Sequence, residues 1–250
     1  MLTLHENINC QKLEKIIDLT IDFYNEGKFQ DIIGYIDQYL QKNPPSYELY
    51  NILGLTYIKI NNNKVAYKCF LKAIEIKPNY SVSYFNIGSL YHEENIIEKA
   101  IENYEIALKF NPNYVSALFN LAILRKENGE VNKAISNYKF LLKNNQFHIE
   151  SNYNLSSIYQ ELNRSSLAIF HLKKILEVKN YYLDTFLKLG ISYHKINNLK
   201  NALHYYSEEL KINKNNHEAF YLIGNVFIDK GDYNEAYKNF LKVLRHETVN

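Results

Sequence analysis

The chain has four prolines and eight glycines in 250 residues, too few for an all-β protein built on many tight turns. Its two cysteines, Cys10 and Cys69, form neither a metal-binding nor a redox pair, so both are expected as reduced thiols. An excess of charge is also missing. Lys+Arg 29 against Asp+Glu 27 leaves +2, which indicates no general affinity for nucleic acid or an anionic membrane. No apolar run approaches the roughly 18 residues of a membrane helix. The opening MLTLHENINCQK shows no basic segment followed by an apolar one, so a secretory signal is not expected and a cytoplasmic location is. With those classes set aside, 46% hydrophobic and 22% charged residues describe a globular composition.

What the chain has is a period. Pro44, Pro78 and Pro112 are spaced by 34 residues, and sliding the chain by that amount aligns YELYNILGLTYIKINNNKVAYKCFLKAIEIKPN with SVSYFNIGSLYHEENIIEKAIENYEIALKFNPN. Seven copies tile it as 13–46, 47–80, 81–114, 115–148, 149–182, 183–216 and 217–250, behind an N-terminal extension of residues 1–12.

Within a copy the apolar spacing is helical. Tyr84, Ile87, Gly88 and Tyr91 lie on one face of a first helix, and Ala100, Tyr104, Ala107 and Leu108 on one face of a second. The fifteenth position is Gly or Asn throughout (Gly27, Asn61, Asn95, Gly129, Asn163, Asn197, Gly231), the residue types that tolerate the left-handed backbone ending a helix. The eighth position is small in every copy and the twentieth is Ala in six, with Ile32 in the first. Small residues let two antiparallel helices approach, and a bulky residue at position 24 (Phe70, Tyr104, Tyr138, Tyr206, Phe240) fills the space beside them. One such pair cannot bury its own apolar faces, so the copies must stack into an all-α solenoid.

These residues resemble the tetratricopeptide repeat (TPR): a large residue at position 4, Leu-Gly at 7–8, an aromatic at 11, Ala at 20, an aromatic at 24, Ala at 27 and Pro at 32. Copies 47–80 and 81–114 match nearly all of it. Later copies depart: Arg125 replaces the aromatic at 11, Gln146, Asn180, Lys214 and Thr248 replace the Pro, and Glu209 occupies position 27. Glu209 is expected to pack its stem and extend its carboxylate to water. The resemblance implies a right-handed superhelix whose first helices line a concave, peptide-binding groove.

No catalytic signature is present: no Gly-rich phosphate loop, HExxH, paired CxxC or nucleophile elbow. No cofactor or metal is expected. His92 and His194 share position 12, three copies apart, and are expected as exposed histidines. Sequons at Asn79, Asn154 and Asn163 carry no meaning without a secretory route.

The resemblance assigns positions 2, 5, 6, 9, 12 and 13 to the groove. Position 5 reads Ile17, Asn51, Phe85, Phe119, Tyr153, Leu187 and Tyr221, an apolar and aromatic stripe suited either to a partner or to packing between copies. Position 6 carries Asn86, Asn120 and Asn154 in consecutive copies. A carboxamide pairs with a peptide backbone whatever its side chains, and the arrangement resembles the asparagine ladder of O-GlcNAc transferase TPR arms. Position 2 reads Glu14, Glu48, Val82, Ser116, Glu150, Asp184 and Glu218, and position 13 adds Glu93, Glu127, Glu161 and Asp229, whereas lysines such as Lys72, Lys139, Lys143, Lys173 and Lys174 occupy the second helices. A basic or apolar peptide suits that surface, although carboxylates in a first helical turn also serve the helix dipole. Lys188 is the sole basic residue at position 6 and position 5 has none, which argues against a clamp for acidic peptide tails.

The expected function is a non-catalytic scaffold that binds a peptide segment of a partner. The alternative is a substrate-docking arm of a glycosyltransferase-like enzyme whose catalytic domain lies outside this chain. The last copy lacks a capping helix, which fits a piece of a longer protein, end-to-end self-association, or an exposed end.

Overall fold

The structure, a computed structural model, describes residues 2–247, with side chains for 11–244. Among the described residues there are fourteen helices and no strand. The chain divides into two units, residues 1–130 and 131–250.

The first unit contains α1 (Leu2–Asn25), α2 (Phe29–Leu40), α3 (Tyr47–Lys59), α4 (Asn63–Ile76), α5 (Ser81–Glu93), α6 (Ile97–Phe110) and α7 (Val115–Glu127). Residues 2–12, expected to precede the first copy, are the opening turns of α1. Its core is a series of clusters between neighbours. Ile32 and Ile36 of α2 meet Leu49 and Leu53 of α3, Ala66 and Phe70 of α4 meet Ile87 and Leu90 of α5, and Ala100 and Tyr104 of α6 meet Leu121 and Leu124 of α7. Each cluster joins the second helix of one copy to the first helix of the next. The stacking that the unaided hairpin required is thereby realised.

The second unit contains α8 (Val131–Asn144), α9 (Ile149–Glu161), α10 (Ser165–Leu176), α11 (Thr185–Lys195), α12 (Leu199–Ile212), α13 (His217–Asp229) and α14 (Tyr233–Glu247). Leu172 and Ile175 of α10, Phe186 and Leu189 of α11, Tyr206 of α12 and Ile223 of α13 belong to one continuous core.

The helix stops stand where Gly and Asn recur. Asn61, Asn95, Asn163 and Asn197 have φ between 55° and 59°, and Gly27, Gly129 and Gly231 between 74° and 78°. Leu183 also has a positive φ, 46°, in the connection from α10 to α11, where a Cβ is strained. Inside the hairpins the small-against-bulky fit is tight: a Cβ built on Gly54 would lie 2.3 Å from Phe70, and one on Gly190 would lie 2.2 Å from Tyr206.

Candidate functional site

The first helices carry the predicted surface, and position-6 asparagines begin it. Asn120 on α7 donates from Nδ2 to the Tyr104 hydroxyl of α6, a long contact of 3.4 Å. Asn154 on α9 donates to the Tyr138 hydroxyl of α8 at 3.0 Å. In both cases a position-6 amide meets the position-24 tyrosine of the preceding copy. Asn86 follows Phe70, which has no hydroxyl, and instead donates to Oδ1 of Asn51 at 2.9 Å. It is only 6% exposed, so this member of the expected ladder is buried between copies. Asn120 and Asn154 are half-buried, and their Oδ1 atoms have no protein partner among the described residues.

The tyrosine at position 24, expected only to fill space, also brings a hydroxyl to the next copy. Tyr104 is held by Asn120 and by Ser89, whose hydroxyl lies 3.2 Å away at position 9. At Tyr206 the corresponding residues are Ile191 and Leu222. Among the described residues its fully buried hydroxyl has no hydrogen-bond partner, and burial raises its pKa above the ordinary tyrosine value. The signal was available: Asn follows Tyr at 104/120 and 138/154, and Leu follows it at 206/222.

Position 5 is graded rather than uniform. Leu187 is buried, Phe85 and Phe119 are half-buried, and Tyr221 is 52% exposed. Phe85 packs against Tyr104 and Tyr114, with ring centroids 5.6 and 5.0 Å away. Tyr153 is tied down: its hydroxyl donates to Oδ1 of Asp184 at 2.5 Å, its ring meets Tyr182 edge-on, and Lys188 Nζ lies 5.2 Å from its centroid. Burial first, then that hydrogen bond, raise its hydroxyl pKa well above the usual value. Tyr221 rests on Phe240 at 5.9 Å with its outer face in solvent.

Much of the acidic set is spent inside the molecule. Glu48 accepts from Ser46 at 2.6 Å, and Asp184 takes both Tyr153 and, at 3.8 Å, Lys188. Asp229 pairs with Nε2 of His194 at 2.6 Å, so His194 is a bridge between α11 and α13 rather than a free exposed histidine. Arg125, standing for an aromatic, pairs with Glu105 of α6.

One further expectation changes. Glu209 does not reach water. It is 2% exposed, with Oε1 accepting from Asn216 at 2.9 Å and Oε2 buried without a partner. At position 27 the side chain is buried and its Oε1 is engaged by Asn216, the residue that caps α13. Cys69 is a buried free thiol, with burial pushing its pKa up to about 11, which makes it unreactive. The Cys10 side chain lies outside the described residues. Among those residues no group of three or more His, Cys, Asp or Glu could hold a metal ion, and no helix is long and apolar enough to cross a membrane.

Comparison with known proteins places this arrangement. A family model described as tetratricopeptide repeat matches residues 47–80, 149–182 and 217–245. A second with that description matches 69–102, and one described as TPR repeat matches 88–129. Over 58 residues, 23% of this chain, the sequence is 36% identical to the uncharacterized protein ycf37 of Porphyra purpurea, spanning 34% of that protein. The MamA crystal structure superposes with a TM-score of 0.64 at 27% identity, covering 68% of this chain and 93% of MamA. YrrB, a TPR protein with an unusual peptide-binding site, gives 0.66 at 19% identity over 72% of this chain and 93% of its own. A tetratricopeptide repeat protein from Parabacteroides merdae gives 0.64 at 21% identity, covering 80% of this chain and 79% of that one.

Proposed function

The chain belongs to the tetratricopeptide repeat family, and from that premise we propose that it is a non-catalytic scaffold whose first helices bind a peptide segment of a partner protein. TPR proteins are in general protein-interaction scaffolds. The peptide-binding site named for YrrB accords with this reading, although that likeness is one of fold.

One observation carries the proposal. Asn120 and Asn154 each have an amide nitrogen pinned by a tyrosine hydroxyl and an Oδ1 left without a partner. A carbonyl oriented by its own scaffold accepts a peptide N–H at little entropic cost. At position 5, Phe85 and Phe119 in the first unit and Tyr153 and Tyr221 in the second supply apolar contact. Asn86 is left out of the contact set because it is buried. The occupant is a basic or apolar peptide, with Glu48, Asp184 and Asp229 already paired within the molecule.

Affinity capture identifies the partner, and Asn120→Ala and Asn154→Ala variants, made separately, test the contact in each unit. Losing one hydrogen bond of about 1 kcal/mol weakens binding by about fivefold. Unchanged affinity in a folded variant would remove that asparagine from the site.

A second reading concerns self-association. Tyr233, Tyr237 and Leu244 on α14 are 71%, 64% and 56% exposed, an apolar face of the kind that α13 covers on α12. End-to-end pairing through α14 predicts a concentration-dependent mass in sedimentation, and a strictly monomeric protein would rule it out.

A further inference from the structure

The lysines of the second helices, which the groove does not use, converge with a buried histidine in the second unit. His171 on α10 is 9% exposed. Its Nδ1 lies 2.9 Å from Oδ1 of Asn152 on α9. The orientation of that amide is settled, because Asn152 Nδ2 donates to the backbone carbonyls of Gln146 at 2.9 Å and His148 at 3.0 Å. Its Oδ1 therefore accepts, the imidazole carries its proton on Nδ1, and Nε2 presents a lone pair. Tyr159 stacks on the ring at 5.6 Å and Phe170 meets it edge-on at 5.1 Å, which fixes its plane.

Among the described residues Nε2 has no hydrogen-bond partner, and it is not sealed from solvent. His171 borders a cavity of about 340 Å³ lined also by Lys139, Leu142 and Lys143 of α8, Phe170 and Lys174. Lys174 is paired with Glu177 at 2.9 Å. Among the described residues no carboxylate lies within ion-pair distance of Lys139 or Lys143. The cavity thus holds two uncompensated ammonium groups, a neutral base held rigidly with its lone pair available, and an apolar wall.

We propose that this cavity binds a phosphate monoester, with Lys139 and Lys143 pairing to its oxygens and one proton shared between the phosphate and Nε2 of His171. The lysines alone would accept any anion, and the histidine narrows the choice. A ligand oxygen facing Nε2 needs a proton between them, or two lone pairs oppose each other. A phosphate monoester retains its last proton to a pKa of about 6, whereas a carboxylate loses its own near about 4. Burial, then the charge of Lys139, hold the free imidazole down to about 4, so the ring does not readily supply that proton. The charged groups facing it are Lys139 and Lys143 from α8 and Lys174 from α10, while α9 contributes the uncharged Asn152 and Tyr159. The inference is independent of the peptide reading of the first helices and stands or falls separately from it.

The test follows the imidazole nitrogens of His171 by NMR in the intact protein during titration with inorganic phosphate, O-phosphoserine and sulfate at constant ionic strength. Phosphate and O-phosphoserine are expected to move Nε2 saturably and to bind at least about tenfold more tightly than sulfate. A Lys139→Gln/Lys143→Gln variant, altered only at exposed positions, should keep its helical circular dichroism and weaken phosphate by at least about tenfold. Equal affinity for sulfate, an unmoved His171, or undiminished phosphate binding by the double variant would overturn the proposal. A phosphoserine peptide distinguishes the sources: tighter binding than O-phosphoserine assigns the site to a phosphorylated side chain of a partner, and equal binding assigns it to a small monoester.

Discussion

At the scale of single residues, the interfaces between copies depend on hydroxyl and amide pairs that either match or fail to match. Tyr104 has Ser89 and Asn120, while Tyr206 faces Ile191 and Leu222 with its hydroxyl unpaired. Tyr206→Phe is therefore expected to be neutral or to stabilise by up to about 1 kcal/mol, and Tyr104→Phe to destabilise by about 1 kcal/mol. Urea midpoints of the two variants measure the difference. His171 gives the pH dependence. Its folded pKa, about 4, lies below the unfolded value of 6.5, so the unfolded chain binds a proton that the native state refuses. Stability from this residue is complete above about pH 6.5 and is lost as the pH falls toward 4, at up to about 1.4 kcal/mol per pH unit. Comparing unfolding of wild type and His171→Gln at pH 7 and pH 5 should show the smaller decline in the variant.

Whole helices are governed by the contrast between glycines that touch and glycines that do not. A methyl on Gly190 would fall 2.2 Å from the Tyr206 ring, whereas one on Gly34, exposed within α2, would meet nothing within 4 Å. Gly190→Ala should cost about 1–3 kcal/mol through overpacking, and Gly34→Ala should gain about 0.5–1 kcal/mol through helix propensity. Thermal melts of both variants check the sign of each. This is also the scale at which the amino-acid sequence was most legible. The backbone turn at position 15 demands a left-handed residue, and that demand is written directly as Gly or Asn. Side-chain partners were less legible because they depend on the next copy: nothing in YFNIG says that Asn86 faces a phenylalanine and turns to Asn51 instead. Glu209 misled for the same reason, since its direction is set by the interface and by Asn216 rather than by its own stem.

For the molecule as a whole, each unit distributes its core among successive neighbours rather than gathering it in one centre. Repeat arrays of this kind open locally at their weakest interface. Among the described residues, α11, α12 and the connection before them hold two buried atoms without a partner, the Tyr206 hydroxyl and Glu209 Oε2, and the positive φ of Leu183, against the single Ser151 Oγ of α9 and α10. Native-state hydrogen exchange should show α11 and α12 opening at least about tenfold more often than α9 and α10, a gap of about 1.4 kcal/mol. Equal protection would mean that the mismatches are relieved in solution.

The connection holding Leu183 has a chemical consequence. Its side chain is 54% exposed on a backbone twisted away from the conformation a leucine prefers. A protease that cuts after large aliphatic residues therefore meets an accessible bond in this connection. The first nick in the native protein should fall there and release a fragment beginning at Asp184.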